Sequence, residues 1–248
     1  MALFQSSNPV LKEETFQKAS TMRLDGELMT IKGTVAKTGY LFLLLLASSA
    51  FSWGQFMRGV NIFPYLIGGV IVALILGLVI TFKKEWSGFL APAYAIAEGL
   101  FLGAVSAFYA AKYAGIVTQA VGLTFSVVIA MLLLYAFRII RVTETFRSIM
   151  FVAIAGIGIF YLVAFGLSFF NISIPFLHEG STFGIIFSLV VVGIASLSLL
   201  LDFDMIEKGS VGGAPKYFEW YCAFGLMVTI VWLYLEILRL LSKINSRN

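Results

Sequence analysis

The chain contains seven long apolar segments, and this pattern constrains its fold more than any other feature of the sequence. The segments lie near residues 38–57, 63–82, 88–111, 114–137, 148–170, 182–206 and 218–241. A helix needs about 20 apolar residues to cross the hydrocarbon core of a bilayer. Helices satisfy their own backbone hydrogen bonds in lipid. We therefore predict an all-α integral membrane protein with seven transmembrane helices.

The composition supports a single membrane domain. The chain is 60% hydrophobic and only 12% charged, whereas soluble domains contain about 25% charged residues. Residues 1–37 are polar and form a leader that we expect in the cytoplasm, and residues 38–248 form the membrane domain. A further soluble domain has no room in this sequence.

The basic residues indicate an orientation rather than a nucleic-acid partner. They cluster at the ends of the apolar segments, where positive charge sets topology. With a cytoplasmic amino terminus and seven crossings, 12 of the 17 basic residues lie inside and 5 lie outside. Three of the outside residues, Arg239, Lys243 and Arg247, follow the last segment, so a re-entrant last segment is an alternative.

Four acidic residues lie inside or at the edge of apolar segments: Glu98, Asp202, Asp204 and Glu236. A carboxylate at membrane depth costs about 2.5–3.5 kcal/mol on insertion scales. Such residues usually line a polar cavity, form a pair, or carry protons or ions. They are therefore the candidate functional residues of this chain.

Each carboxylate also has a structural interpretation. Asp202 and Asp204 point about 200° apart on a helix and cannot share a face, and Asp204 could mark the end of the membrane span. Glu236 precedes Arg239 by one helical turn, which permits an ion pair. Glu98 has no basic residue within two turns, so it is protonated, paired across helices, or in contact with water.

The sequence offers little support for an enzyme. His178 is the only histidine and Cys222 the only cysteine, so neither a zinc site nor an intramembrane Ser/His/Asp set can be assembled from nearby residues. No cofactor motif is present. We interpret Gly99 and Gly103, together with Gly68, Gly69, Gly156 and Gly158, as helix-packing positions.

Several motifs resemble the Bax-inhibitor-motif membrane family, specifically its bacterial YccA-like branch. They are Ser7-Asn8-Pro9-Val10-Leu11, Ala97-Glu98-Gly99-Leu100, Asp202-Phe203-Asp204-Met205-Ile206, and the run from Leu233 to Leu241. The resemblance implies seven helices with the last one central in the bundle. It also implies a pH-sensitive calcium leak in a bacterial inner membrane, with calcium as the permeant ion. An alternative is a non-conducting regulator that docks onto a membrane-anchored quality-control protease.

The family's ion site is a pair of carboxylates from the last two helices, which the motifs assign to Asp202 and Glu236. Two carboxylates in one poorly solvated site repel and titrate as a unit, and calcium accepts such flexible oxygen ligands. Lys83 and Lys84 are expected as electrostatic partners. However, a tight hairpin of the last two helices would place Asp202 opposite a residue near 222. The two carboxylates meet only if residues 207–220 stay outside the bilayer.

Overall fold

A computed structural model of the chain describes residues 27–170, 174 and 180–247. It contains seven long helices: α1 (Ile31–Met57), α2 (Phe63–Phe82), α3 (Ser87–Lys112), α4 (Ile116–Ala136), α5 (Glu144–Ser168), α6 (Thr182–Val211) and α7 (Phe218–Asn245). A short 3₁₀ turn, Lys84–Trp86, precedes α3. All seven are long and apolar enough to cross a membrane. The predicted all-α membrane fold is confirmed.

The last helix lies at the centre of the bundle. Helix α7 packs against α1, α3, α4 and α6, and a side chain of α5 also hydrogen bonds to it. Its buried residues include Met227, Leu233 and Leu238, all fully inaccessible to solvent. Helix α2 packs chiefly against α3, and α5 chiefly against α6. These two helices are therefore the peripheral ones.

Both ends of α7 are fixed by contacts that define its direction. At its start, Glu219 accepts hydrogen bonds from Thr30, which caps the start of α1. At its end, the Lys243 ammonium donates to the Gly184 carbonyl and the Ser188 hydroxyl at the start of α6. The 28 residues of α7 extend about 42 Å, more than the bilayer's hydrocarbon core of about 30 Å. The last helix is therefore long enough to cross the full width, and its two ends lie at opposite ends of the bundle, which favours a crossing over the re-entrant alternative.

Two helix ends differ from the sequence prediction. Helix α1 begins at Ile31 rather than near residue 38, because Thr30 supplies a side-chain cap before the apolar run starts. Helix α6 continues to Val211, so Gly209 is helical and the loop before α7 is shorter than expected. The leader motif at Ser7 to Leu11 and the His178-Glu179 pair lie outside the described residues.

The glycines of the spans fall into two groups. A Cβ atom on Gly69 would lie 2.8 Å from the Ala97 carbonyl oxygen, and one on Gly103 would lie 2.7 Å from the Ser49 Cα atom. These glycines allow close helix contact, as predicted. A Cβ atom on Gly156 or Gly158 of α5, or on Gly68 of α2, would have no neighbouring atom of the described residues within 4 Å. Within the described part of the chain, these three glycines do not serve the helix packing that we predicted.

Candidate functional site

Asp202 lies at a central cavity of about 580 Å³ bounded by α2, α3, α6 and α7. Its carboxyl group lies near the Thr229 side chain on α7, whose hydroxyl donates to the Gly225 carbonyl at 3.2 Å. The Oδ2 atom of Asp202 is buried and has no hydrogen-bond partner among the described residues. Buried polar atoms are nearly always paired, so an orphaned carboxylate oxygen points to a ligand, a water or a functional role.

Glu98 lines the same cavity from α3. It is only 8% exposed, and it lies one helical turn from Tyr94, with whose hydroxyl it interacts. The cavity is therefore lined by two carboxyl groups and four hydroxyl-bearing side chains, in addition to apolar side chains. Such a set of flexible oxygen atoms suits a weakly held hard cation.

Asp202 and Glu236 are not brought together. Asp202 faces the part of α7 around Gly225 and Thr229, whereas Glu236 lies seven residues beyond Thr229, about 10 Å further along the helix. The cause is the short connection after α6, which makes a tight hairpin of α6 and α7. Residues near 225 are therefore the ones opposite Asp202, close to the register expected for a tight hairpin.

Glu236 instead belongs to a compact polar cluster with α5. Its carboxylate accepts from Arg239 at 3.0 and 3.1 Å and from the Tyr161 hydroxyl at 3.1 Å. Arg239 also donates to Tyr161 at 2.6 Å and lies over its ring. The Trp232 indole N–H lies 3.3 Å from the same carboxylate. These contacts correspond to the structural ion pair between Glu236 and Arg239, which the sequence analysis gave as one interpretation of Glu236.

Asp204 faces away from the central cavity, as the spacing on α6 requires. Its carboxylate forms ion pairs with Arg147 of α5 and with Lys208, the latter at 3.1 Å. A neighbouring pair joins Glu207 to Arg138, and this carboxylate raises the pKa of the Arg138 guanidinium above its usual value. Asp204 therefore connects α6 to α5 and does not serve the cavity.

The two lysines expected as electrostatic partners lie beside the end of α2. The Lys84 ammonium is 5.1 Å from the centroid of the Tyr221 ring, and Tyr221 lines the central cavity. Lys84 thus lies close to one end of the cavity. Lys83 ends α2 and forms no ion pair within the described ranges.

Sequence reasoning missed Glu219, the most completely buried carboxylate on the side where α7 begins. Its side chain is 0% exposed and forms an ion pair with Lys37 of α1. It accepts from the Thr30 backbone N–H at 2.8 Å and from the Thr30 hydroxyl at 3.0 Å. An acidic residue in the first turn of a helix is normally explained by its favourable interaction with the helix dipole. Glu219 therefore looks ordinary in the sequence, and no pattern indicates its pairing with Lys37.

Comparison with known proteins identifies the family of the chain. A family model described as Bax inhibitor 1 like matches residues 8–246. No curated protein and no solved structure matches the chain significantly.

Proposed function

Because the chain belongs to the Bax inhibitor 1-like family, we propose that this integral membrane protein is a pH-sensitive calcium leak whose ion path passes Asp202 and Glu98. The observation that carries the proposal is the unpaired, buried Oδ2 atom of Asp202 at a cavity shared with a second carboxyl group. Keeping a carboxylate in such a position lowers stability, so it is expected where function requires it.

The cavity chemistry fits transport better than tight storage. No group of three His, Cys, Asp or Glu side chains that could hold a metal occurs in the part of the chain that the structure describes. Two carboxyl groups with hydroxyls and water would bind calcium weakly, and permeation requires that the ion can leave. A proton and a calcium ion compete for the same oxygens, and this competition makes the flux depend on pH.

The charge distribution supports an orientation for this proposal. The starts of α1, α3, α5 and α7 share one side of the bundle, and 12 of the 17 basic residues belong to that side in the sequence. By the positive-inside tendency this side faces the cytoplasm. In a bacterial inner membrane, the leak would then admit calcium towards the side of Lys84 and the start of α7.

The test is calcium flux into proteoliposomes across about pH 6 to 8, the range in which interacting carboxyl pairs can titrate. We expect Asp202→Asn and Glu98→Gln each to abolish the pH dependence, and the double variant to behave like either single variant. Asp204→Asn is the matched control on α6, and it should keep the pH response.

Glu236→Gln separates this proposal from the carboxylate pair that the resemblance implies. If Glu236→Gln removes the pH response and Glu98→Gln does not, Asp202 acts with Glu236 after a rearrangement of α7, and the assignment to Glu98 is wrong. A wild-type protein that conducts no calcium at any pH in this range would refute the leak itself.

A second candidate function is supported by the exposed glycines of α5. Gly156 and Gly158 face open space, and small residues favour helix association in lipid. A non-conducting regulator that docks onto another integral protein, such as a membrane-anchored quality-control protease, would use this face together with the leader of residues 1–37. Deleting the leader or changing Gly156 to Ile would then abolish co-purification with the protease and leave calcium flux unchanged.

A further inference from the structure

A second groove lies on the neighbouring face of α6, next to the central cavity, and Met205 lines both. Its larger part is a cavity of about 820 Å³ between α5, α6 and the start of α7, with walls that include Phe151, Ile154, Leu201 and Met205. Its smaller part is a cavity of about 400 Å³ at the α4–α5 connection. Both parts are lined by Asp204 and Lys208. The two cavities are therefore neighbours that meet at Asp204 and Lys208, and together we call them the α5–α6 groove.

The apolar part of the groove opens towards lipid. Met150 is the only buried residue of α5, and Phe151 at the groove wall is 74% exposed. In a protein that crosses a membrane, an open apolar groove at a peripheral helix contacts acyl chains. The occupant of this part is therefore hydrocarbon.

The smaller part of the groove carries uncompensated positive charge. Arg138 is paired with Glu207, and Arg147 with Asp204 and Glu144. Arg141 lines the smaller cavity, is exposed, and makes no ion pair with any residue in the described ranges. Lys208 contacts Asp204, but its side chain is 55% exposed. An anion at this point would gain contacts with two cations that still have free N–H donors.

A turn at Arg138 precedes the α4–α5 connection that carries Arg141. Arg138 has a positive φ of 56°, a left-handed conformation that non-glycine residues rarely adopt. This turn ends α4 and directs the α4–α5 connection across the end of α6, where Lys208 lies. The two cations therefore come from different elements, Arg141 from the connection that follows this turn and Lys208 from the last turn of α6.

We propose that the α5–α6 groove binds one anionic phospholipid, with the phosphate at Arg141 and Lys208 and an acyl chain along Ile154 and Leu201. Basic pockets between transmembrane helices bind the headgroups of anionic lipids in this way. Neither Arg141 nor Lys208 lines the central cavity, so this inference does not depend on the proposed calcium path.

The first test measures lipid binding to the purified full chain by native mass spectrometry. Phosphatidylglycerol is compared with phosphatidylcholine of the same acyl chains. We expect Arg141→Gln and Lys208→Gln each to weaken phosphatidylglycerol binding about fivefold, the equivalent of about 1 kcal/mol for each basic residue. Lys112→Gln, a cation at the opposite end of the bundle, is the control and should leave binding unchanged.

The second test addresses the acyl part of the site. Ala155 lines the large cavity, so Ala155→Trp should fill it and weaken phosphatidylglycerol binding. Ala153→Trp, two residues earlier on α5 and not in that lining, is the matched control. Soluble glycerol phosphate should compete poorly because it has no acyl chain.

Three results would overturn the proposal. The first is equal binding of phosphatidylglycerol and phosphatidylcholine. The second is that Lys112→Gln weakens phosphatidylglycerol binding as much as the groove variants do. The third is that glycerol phosphate competes and Ala155→Trp has no effect on binding, which would indicate a site for free phosphate. Thermal unfolding of each variant checks that it is folded. If Lys208→Gln proves unstable, Arg141→Gln alone decides, since Arg141 forms no ion pair with a described residue that the change could break.

Discussion

The buried ion pair between Lys37 of α1 and Glu219 of α7 allows a quantitative prediction. Glu219 is 0% exposed and Lys37 is 17% exposed. One carboxylate oxygen of Glu219 also accepts two hydrogen bonds from Thr30. The Lys37 ammonium lies 5.3 Å from the centroid of the Trp220 ring. The pair therefore joins the first helix to the last in a place with little access to water.

Glu219→Gln keeps an oxygen for Thr30 but removes the charge that faces Lys37. Loss of one partner from a buried pair costs about 3–5 kcal/mol. In this variant the Lys37 ammonium still contacts the Trp220 ring and some water. We therefore expect the free energy of unfolding to fall by about 3 kcal/mol, at the lower end of that range. The double variant Lys37→Met, Glu219→Gln removes both charges and should lose only about 1 kcal/mol, since neither charge is then buried alone.

The assay is reversible unfolding of the purified protein in mixed detergent micelles, followed by circular dichroism. The exposed pair of Arg147 and Glu144 provides a control, because Glu144 is 85% exposed and Glu144→Gln should cost less than about 1 kcal/mol. If the double variant is as unstable as the sum of the two single variants, Lys37 and Glu219 do not stabilise each other and the reasoning is refuted.

Three further outcomes are expected. Gly103→Ala should destabilise the protein by about 1–3 kcal/mol, because the added methyl group overpacks against α1. Gly156→Ala adds its methyl group in open space and should be neutral or stabilise the protein by up to about 1 kcal/mol. The same unfolding assay compares the two variants. Tyr161→Phe should cost about 1–3 kcal/mol because Glu236 and Arg239 lose a shared partner, and calcium flux through proteoliposomes should remain. In a Cys222→Ala background, single cysteines at the exposed positions Glu85 and Ser246 should react with a membrane-impermeant thiol reagent from opposite sides. Labelling of both positions from one side would contradict the seven crossings.

The helices are predictable from the sequence because hydropathy and length decide them. A bilayer imposes a minimum span, so six of the seven starts and all of the apolar centres fall near the predicted positions. The predicted start of α1 is too late because the segment before residue 38 is polar. That segment is helical through the Thr30 cap and the contacts of Lys37, which tertiary structure supplies.

The pairing of the carboxylates is not predictable from motifs alone. Which residue of α7 lies opposite Asp202 depends on where α6 ends, and α6 continues through Gly209 to Val211. The glycines near the end of α6 predict a loop, although packing against neighbouring helices can keep such a segment helical. In the same way Gly103 and Gly156 look alike in the sequence, and only the positions of their neighbours separate a helix contact from an open surface.

The contact between Lys37 and Glu219 also has a consequence for how the protein is made. The two residues are separated by 182 positions, and ribosomes add about 5–20 residues per second. After Lys37 is synthesised, about 10 to 40 seconds pass at that rate before its partner carboxylate exists. During this interval the nascent first helix can keep its ammonium group hydrated only by extending it to the membrane surface. In a truncated chain without the last helix, Lys37 never meets Glu219 and its ammonium group stays at the membrane surface. An exposed Lys37 therefore distinguishes an incomplete chain from the folded protein.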